Sequence, residues 1–179
     1  MQKTLLLMLF LAPCWLIAQT VDSVTIRQVD SLVQISRTFT NQKDFAKALE
    51  LNALAEAIAL EKLGRESAAY GSCCLNHGRI CMNSRKIEEG MKWLFEALAI
   101  QEKTIGKTHL DYGKTLNLIG YGYLHFSQIE KAVTFAFDAK NILEKTEGKY
   151  GKVYLNNLNN LAICYAILGQ LDEAESIFL

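Results

Sequence analysis

Proline is almost missing: Pro13 is the only one in 179 residues. From residue 14 onward every backbone N–H is therefore available for helical hydrogen bonding, whereas sheet proteins punctuate their turns with proline and glycine. An excess of charge of one sign is missing too. Nineteen Lys and Arg stand against 19 Asp and Glu, with no long block of either, so nothing draws the chain in bulk to nucleic acid or to an anionic membrane surface. Half the residues are apolar and 21% are charged, which excludes a disordered chain. The length admits one domain or one short repeat array and excludes a multidomain enzyme. With Ala, Leu, Glu and Lys abundant, the expectation is an all-α protein.

Long apolar runs are also scarce. The longest is Leu5 to Ala18, fourteen residues behind the lone charge of Lys3. A membrane-spanning helix needs about 20 apolar residues, so this run reads as a cleavable signal peptide over residues 1–18, with Ala18 before the cut. Leu11, Ala12 and Cys14 echo a lipoprotein signal, but Pro13 occupies the place of a small residue and the apolar run continues past the cysteine. The expected mature chain, 19–179, carries 18 positive against 19 negative side chains. It is expected to be exported, periplasmic, cell-surface or secreted, with no membrane partner once the leader is removed.

What the chain does have is a period. Gly64, Gly106 and Gly148 are spaced by 42 residues, and so are Tyr70, Tyr112 and Tyr154. Three more ladders keep the same step: Ala48, Gly90, Ala132 and Ala174; Ala55, Ala97 and Ala139; Ile58, Ile100 and Ile142. A fourth runs Phe45, Ile87, Ile129 and Leu171. The units are read as about 29–70, 71–112, 113–154 and an incomplete 155–179. Within a unit, Leu116, Ile119, Gly120 and Tyr123 fall at i, i+3, i+4 and i+7, the spacing of one helix face. A second helix carries the small-residue stripe Ile129, Ala132, Ala136 and Ala139, and faces a small residue on the first helix in every unit: Ser36, Gly78, Gly120 and Ala162. Small residues on both sides predict close antiparallel packing. Gly64, Gly106 and Gly148 are placed to close helices, Ser67 or Thr108 to cap the next, and Asn41–Asp44 and Leu168–Gln170 to turn inside hairpins. One hairpin cannot bury its own stripe, so the units must stack into a one-dimensional array.

Leu161-Ala162-x-x-Tyr165-x-x-x-Gly169-x-x-x-x-Ala174-x-x-x-Phe178 resembles the tetratricopeptide repeat (TPR) signature at its large, small, aromatic, glycine, alanine and aromatic positions. Ile119-Gly120-x-x-Tyr123 with Ala132 and Ala139 is a second copy. His77-Gly78-x-x-Cys81 with Gly90 and Ala97, and Ile35-Ser36-x-x-Phe39 with Ala48 and Ala55, are more divergent ones. The resemblance covers 29–179. The usual TPR period is about 34 residues; a step of 42 is similar to the long-helix variety of kinesin light chains and bacterial signalling arrays. The resemblance implies a right-handed superhelical solenoid of antiparallel helix pairs. The family's proline after the second helix is absent, with glycine in its stead. The fourth unit stops inside its second helix, so a longer protein is expected.

In the family resembled, the first helices line the concave groove. Carried onto this chain, the inward positions are Arg37, Asn41, Arg79, Asn83, Asn117, Tyr121, His125, Asn156 and Asn159. Arg37 with Asn41, and Arg79 with Asn83, repeat one Arg-x-x-x-Asn step 42 residues apart, so both pairs should stand side by side and hold a carboxylate. The asparagines can pair with the backbone of an extended peptide. The competing reading makes these residues a solvated helix face with asparagines tying repeats together.

Chemistry is harder to find. Cys73, Cys74, Cys81 and Cys164 remain after leader removal; Cys74 and Cys81 are about 10 Å apart along one helix, beyond the reach of a disulfide. Buried thiols acting as apolar filler are expected. Cys73, Cys74, His77 and Cys81 invite a zinc assignment, but His77 and Cys81 occupy core positions of the repeat, so no metal and no cofactor is expected. His77, His109 and His125 have no nucleophile at a useful spacing. Gly120-Tyr121-Gly122 only echoes a phosphate loop, and the register already requires a small residue at Gly120. The chain is accordingly read as a non-catalytic scaffold for a protein or peptide, acidic in character. The alternative is an amino-terminal regulatory or sensor region of a longer exported enzyme or receptor, of caspase-like peptidase, histidine kinase or transcriptional regulator type.

Overall fold

The structure, a computed structural model, describes residues 3–177, and side chains from residue 22 onward. The side chains of the leader segment, and Phe178 and Leu179, lie outside the described residues. Eight helices follow one another: α1 (Lys3–Asn41), α2 (Phe45–Lys62), α3 (Ala68–Asn83), α4 (Ile87–Thr104), α5 (Leu110–His125), α6 (Ile129–Thr146), α7 (Lys152–Ile167) and α8 (Leu171–Ser176). The second helices begin at 45, 87, 129 and 171, and three first helices at 68, 110 and 152, each a step of 42. No strand occurs among the described residues. None of the helices, among the described residues, is long and apolar enough to cross a membrane.

The helix boundaries have local causes. Asp44 accepts from the Lys47 amide at 3.1 Å to start α2, and Ser67 accepts from the Tyr70 amide at 3.2 Å to start α3. The α5 cap corrects the sequence reading: His109, not Thr108, precedes the helix, its Nδ1 accepting from the Asp111 amide at 3.1 Å. His109 lies 42 residues after Ser67 and Thr108 does not, so the repeat register decides the matter. At α7 the same register puts Gly151, which has no side chain, and Glu147 replaces it: its Oε2 accepts from the Val153 and Tyr154 amides at 2.9 and 3.1 Å. A carboxylate there also meets the positive end of the helix dipole. These starts put each hairpin boundary about three residues ahead of the units read as 71–112, 113–154 and 155–179.

Chain reversals use left-handed backbone at a fixed place. Between hairpins it is Gly64, Gly106 and Gly148, with φ of 84°, 81° and 77°. Inside hairpins it is Lys43, Arg85, Ser127 and Gly169, with φ of 64°, 66°, 56° and 74°. This second ladder also steps by 42, and three of its four members carry a side chain that strains the left-handed region. Ser127→Gly is therefore expected to raise stability by about 0.5–1 kcal/mol, measured as a higher urea midpoint.

Each hairpin closes over small residues, as the sequence predicts. A Cβ built on Gly90 would lie 3.1 Å from the Gly78 carbonyl oxygen, and one on Gly78 2.6 Å from Leu94 Cγ. Ser36 takes the same place in the first hairpin and donates its hydroxyl to the Ala48 carbonyl at 2.8 Å. Between hairpins the core holds Tyr70, Tyr112 and Tyr154, all buried, with Ala55, Ala97 and Ala139 fully enclosed. Cys73, Cys74, Cys81 and Cys164 are buried and unpaired. Burial above all pushes the Cys73 thiol up to about 12 and the Cys81 thiol up to about 11, with nearby carboxylates adding to it.

Candidate functional site

Neighbouring first helices α1, α3, α5 and α7 touch one another in turn, whereas α2, α4 and α6, among the described residues, touch only first helices. The stack is tighter on the first-helix side. That side is the inner, concave one, and the nine residues expected to face a groove all lie on its helices.

The structure sorts those nine. Asn41 and Asn83 are exposed and line an open cleft of about 570 Å³ at the carboxyl ends of α1 and α3. Asn83, Asn117, Tyr121, Asn156 and Asn159 line a second cleft of about 390 Å³ reaching α7. Asn83 and Arg85 belong to both clefts, which makes them one polar groove. His125 is exposed and sits edge-on to Tyr121, with ring centroids 4.5 Å apart.

The arginines depart from the expected pairing. Arg79 turns inward: its Nη2 donates to Asn76 Oδ1, and the Asn83 amide donates back to the Arg79 carbonyl of its own helix at 2.9 Å. Asparagine four residues downstream satisfies a helix carbonyl instead of a ligand. The Nε atoms of Arg37 and Arg79 are buried and have no hydrogen-bond partner among the described residues. Burial foremost, and then the like charge of Arg37, lowers the Arg79 guanidinium to about 10, partly opposed by Asp111. Arg79 is thus tied to Asn76 and feels the like charge of Arg37, and neither arginine lines the two clefts. Asn117 is a tie in part as well, accepting from Asn160 on the next first helix at 3.3 Å.

Three cations of the groove were not foreseen. Lys43, Arg85 and Lys152 line the wider cleft, together with Thr40, Asn41, Phe45 and Asn83, and no carboxylate does. Lys43 and Arg85 occupy the left-handed turn positions, so the 42-residue step connects them; Lys152 opens α7 and has no such signal. The amino-terminal ends of α3 and α5 differ from this cleft in sign. A cleft of about 360 Å³ there is lined by Asp22, Asp30 and Asp111, with His109 as its only basic side chain. Burial raises the Asp30 carboxyl above its usual range, Arg37 pulls it down and Asp111 raises it further.

No protein-family model and no curated protein matches the sequence. Solved structures do. A kinesin light chain protein of Podospora anserina with nearly identical TPR-like repeats superposes with a TM-score of 0.71 at 22% identity, over 86% of this chain and 72% of that one. BtubC (BKLC) from P. vanneervenii gives a TM-score of 0.70 at 20% identity, over 83% of this chain and 59% of that one. The fold is TPR-like. The groove of this TPR-like array is therefore the inner face of a solenoid, built from side chains that the repeat register leaves free to vary. The clefts differ in charge, with Lys43, Arg85 and Lys152 lining one and Asp22, Asp30 and Asp111 another.

Proposed function

We propose that this array is a non-catalytic scaffold that takes an extended acidic peptide, or the acidic segment of a protein, along its concave groove. The carrying observation is the cleft at the ends of α1 and α3, where Lys43, Arg85 and Lys152 converge with Asn41 and Asn83 and no acidic side chain lines the wall. Cations attract carboxylates over a Debye length of about 10 Å at 0.1 M salt. Asparagine amides both donate and accept, so they can pair with the peptide backbone whatever its sequence. Arg85 is exposed and Tyr121 half-buried on the same face, and Arg and Tyr are enriched at contact surfaces. The difference in charge between the clefts orients the ligand: its acidic part lies over the cationic one, and any basic part lies toward Asp22, Asp30 and Asp111.

The test is fluorescence anisotropy of an acidic peptide against the same peptide with its charges reversed. Wild type should prefer the acidic peptide, and the preference should shrink as salt is added. Arg85→Glu with Lys152→Glu should weaken the acidic peptide roughly tenfold or more, since tenfold is about 1.4 kcal/mol, with an unchanged circular dichroism spectrum. Equal affinity of the double variant and the wild type would return these residues to a solvated helix face.

A further inference from the structure

At three places in the second hairpin a metal-donor side chain stands where the hairpins on either side share another type of residue. Residue 77 is histidine where the hairpins on either side have Ile35 and Ile119; residue 81 is cysteine where they have Phe39 and Tyr123; residue 89 is glutamate where they have Lys47 and Lys131. A core that needed only filling would keep its isoleucine and its aromatic ring. The fold brings the three departures to one point. A His77 ring nitrogen, Cys81 Sγ and a Glu89 carboxylate oxygen lie within 4.8 Å of one another. His77 and Cys81, four residues apart, share one face of α3, and Glu89 arrives from the first turn of α4.

The surroundings prepare the imidazole. Glu56 Oε1 is 2.7 Å from His77 Nδ1. A carboxylate oxygen accepts, so Nδ1 is the nitrogen engaged by Glu56, and Nε2, 3.9 Å from Glu89 Oε1, is the one the neutral imidazole would offer to a metal. The Trp93 ring stacks on the imidazole with centroids 4.1 Å apart and holds its plane. A carboxylate behind a histidine is the usual device that orients a metal-binding imidazole. Glu89 turns its other oxygen toward Lys86 Nζ at 3.7 Å, which leaves Oε1 for the cluster.

We propose that His77 Nε2, Cys81 Sγ and Glu89 Oε1 bind one zinc ion, with Glu56 orienting the imidazole and a fourth position open to water. Imidazole, thiolate and carboxylate together suit zinc, and neither calcium nor magnesium. Bond lengths of about 2.0–2.3 Å put the donors of a tetrahedron roughly 3.4–3.8 Å apart, so the present spread closes by a small rotation of Glu89. Its side chain is 48% exposed and is free to make that rotation. The thiol proton leaves to solvent as the metal binds. Glu89 also lines an open cleft of about 520 Å³ with Lys86, Lys92 and Phe126, which supplies the entry path. The entry cleft shares Arg85 with the groove, but none of His77, Cys81 and Glu89 lines the groove, so the site stands or falls independently of the peptide reading.

The test is a titration of the full-length, reduced chain with Co(II), followed by displacement with zinc. One equivalent of Co(II) should produce a thiolate-to-cobalt charge-transfer band, and one equivalent of zinc should abolish it. Cys81→Ser should remove the band. Glu89→Gln, a half-exposed surface change that leaves the fold intact by circular dichroism, should weaken binding about tenfold or more. Glu56→Gln should keep the band and weaken binding by about 10–100-fold. No band in the wild type, a band that survives Cys81→Ser, or unchanged affinity in both glutamine variants would overturn the site.

Discussion

Gly120→Leu is expected to lower the melting temperature by about 6–12 °C, from an overpacking cost of roughly 3 kcal/mol and about 2–4 °C per kcal/mol for a chain of this size. The reason is what the added carbon meets. A Cβ on Gly120 lies 3.3 Å from both the Ala132 carbonyl oxygen and the Ala136 amide nitrogen, and 3.6 Å from the Ala136 Cβ. The two nearer ones are backbone atoms of the facing helix, and they cannot rotate away as a side chain does. Leucine must therefore push α5 and α6 apart, and the two make the heart of the third hairpin. Gly122→Ala, two residues along the same helix, is the control. Its Cβ runs into the Met91 side chain and the end of Met82, both flexible enough to move aside, so its effect should stay within about 1 kcal/mol. Thermal melts of both variants decide the point; a harmless Gly120→Leu would show that the hairpin is not packed backbone to backbone.

Asn76→Ala should cost about 2–4 kcal/mol in a urea titration, since each buried polar group left without a partner costs roughly 1–3 kcal/mol. Asn76 is completely buried and joins the first two hairpins. Its amide donates to Asn52 Oδ1 at 2.7 Å and to Ser36 Oγ at 2.9 Å, and its carbonyl accepts from Arg79. Asn52 in turn donates to Glu56 Oε1 at 2.6 Å and to the Cys73 carbonyl at 3.2 Å. Alanine at residue 76 strips the donor from the Asn52 carbonyl and the acceptor from a half-buried guanidinium, and it leaves a void. Asn83→Ala removes an exposed amide bonded only to its own helix, and should change stability by no more than about 0.5 kcal/mol. Equal effects at the two positions would deny the network its structural role.

Whether a feature was legible from the letters depended on whether it repeats. The glycines at 64, 106 and 148 announced the helix ends because they recur in register, and so did Gly78 and Gly120 as contact points. Lys43, Arg85 and Ser127 share that register, but no residue type marks them, so their left-handed backbone was invisible. Asn41, Asn83, Asn156 and Asn159 were expected on the inner helices, and they line the two clefts. Lys152 was not, because it stands at the first position of α7 and no ladder of like residues marks it. Asn76 repeats nowhere as a buried asparagine: its register partners are Gln34, Leu118 and Asn160. The helix start at His109 was missed by one residue because Thr108 is the better capping residue in isolation.

The chain's own letters determined the helix pairs, their 42-residue step, the side on which they pack and the identity of the small contact residues. Those features arise from spacing along a single helix, and spacing is contained in sequence. Only the tertiary structure decided that Arg79 turns inward to Asn76, that three cations meet at one end of the groove, and that Glu89 joins His77 and Cys81. Each of these is a meeting between side chains on different helices. Such a meeting depends on the rotation and tilt of one helix against the next, which side-chain volumes across the whole stack set together.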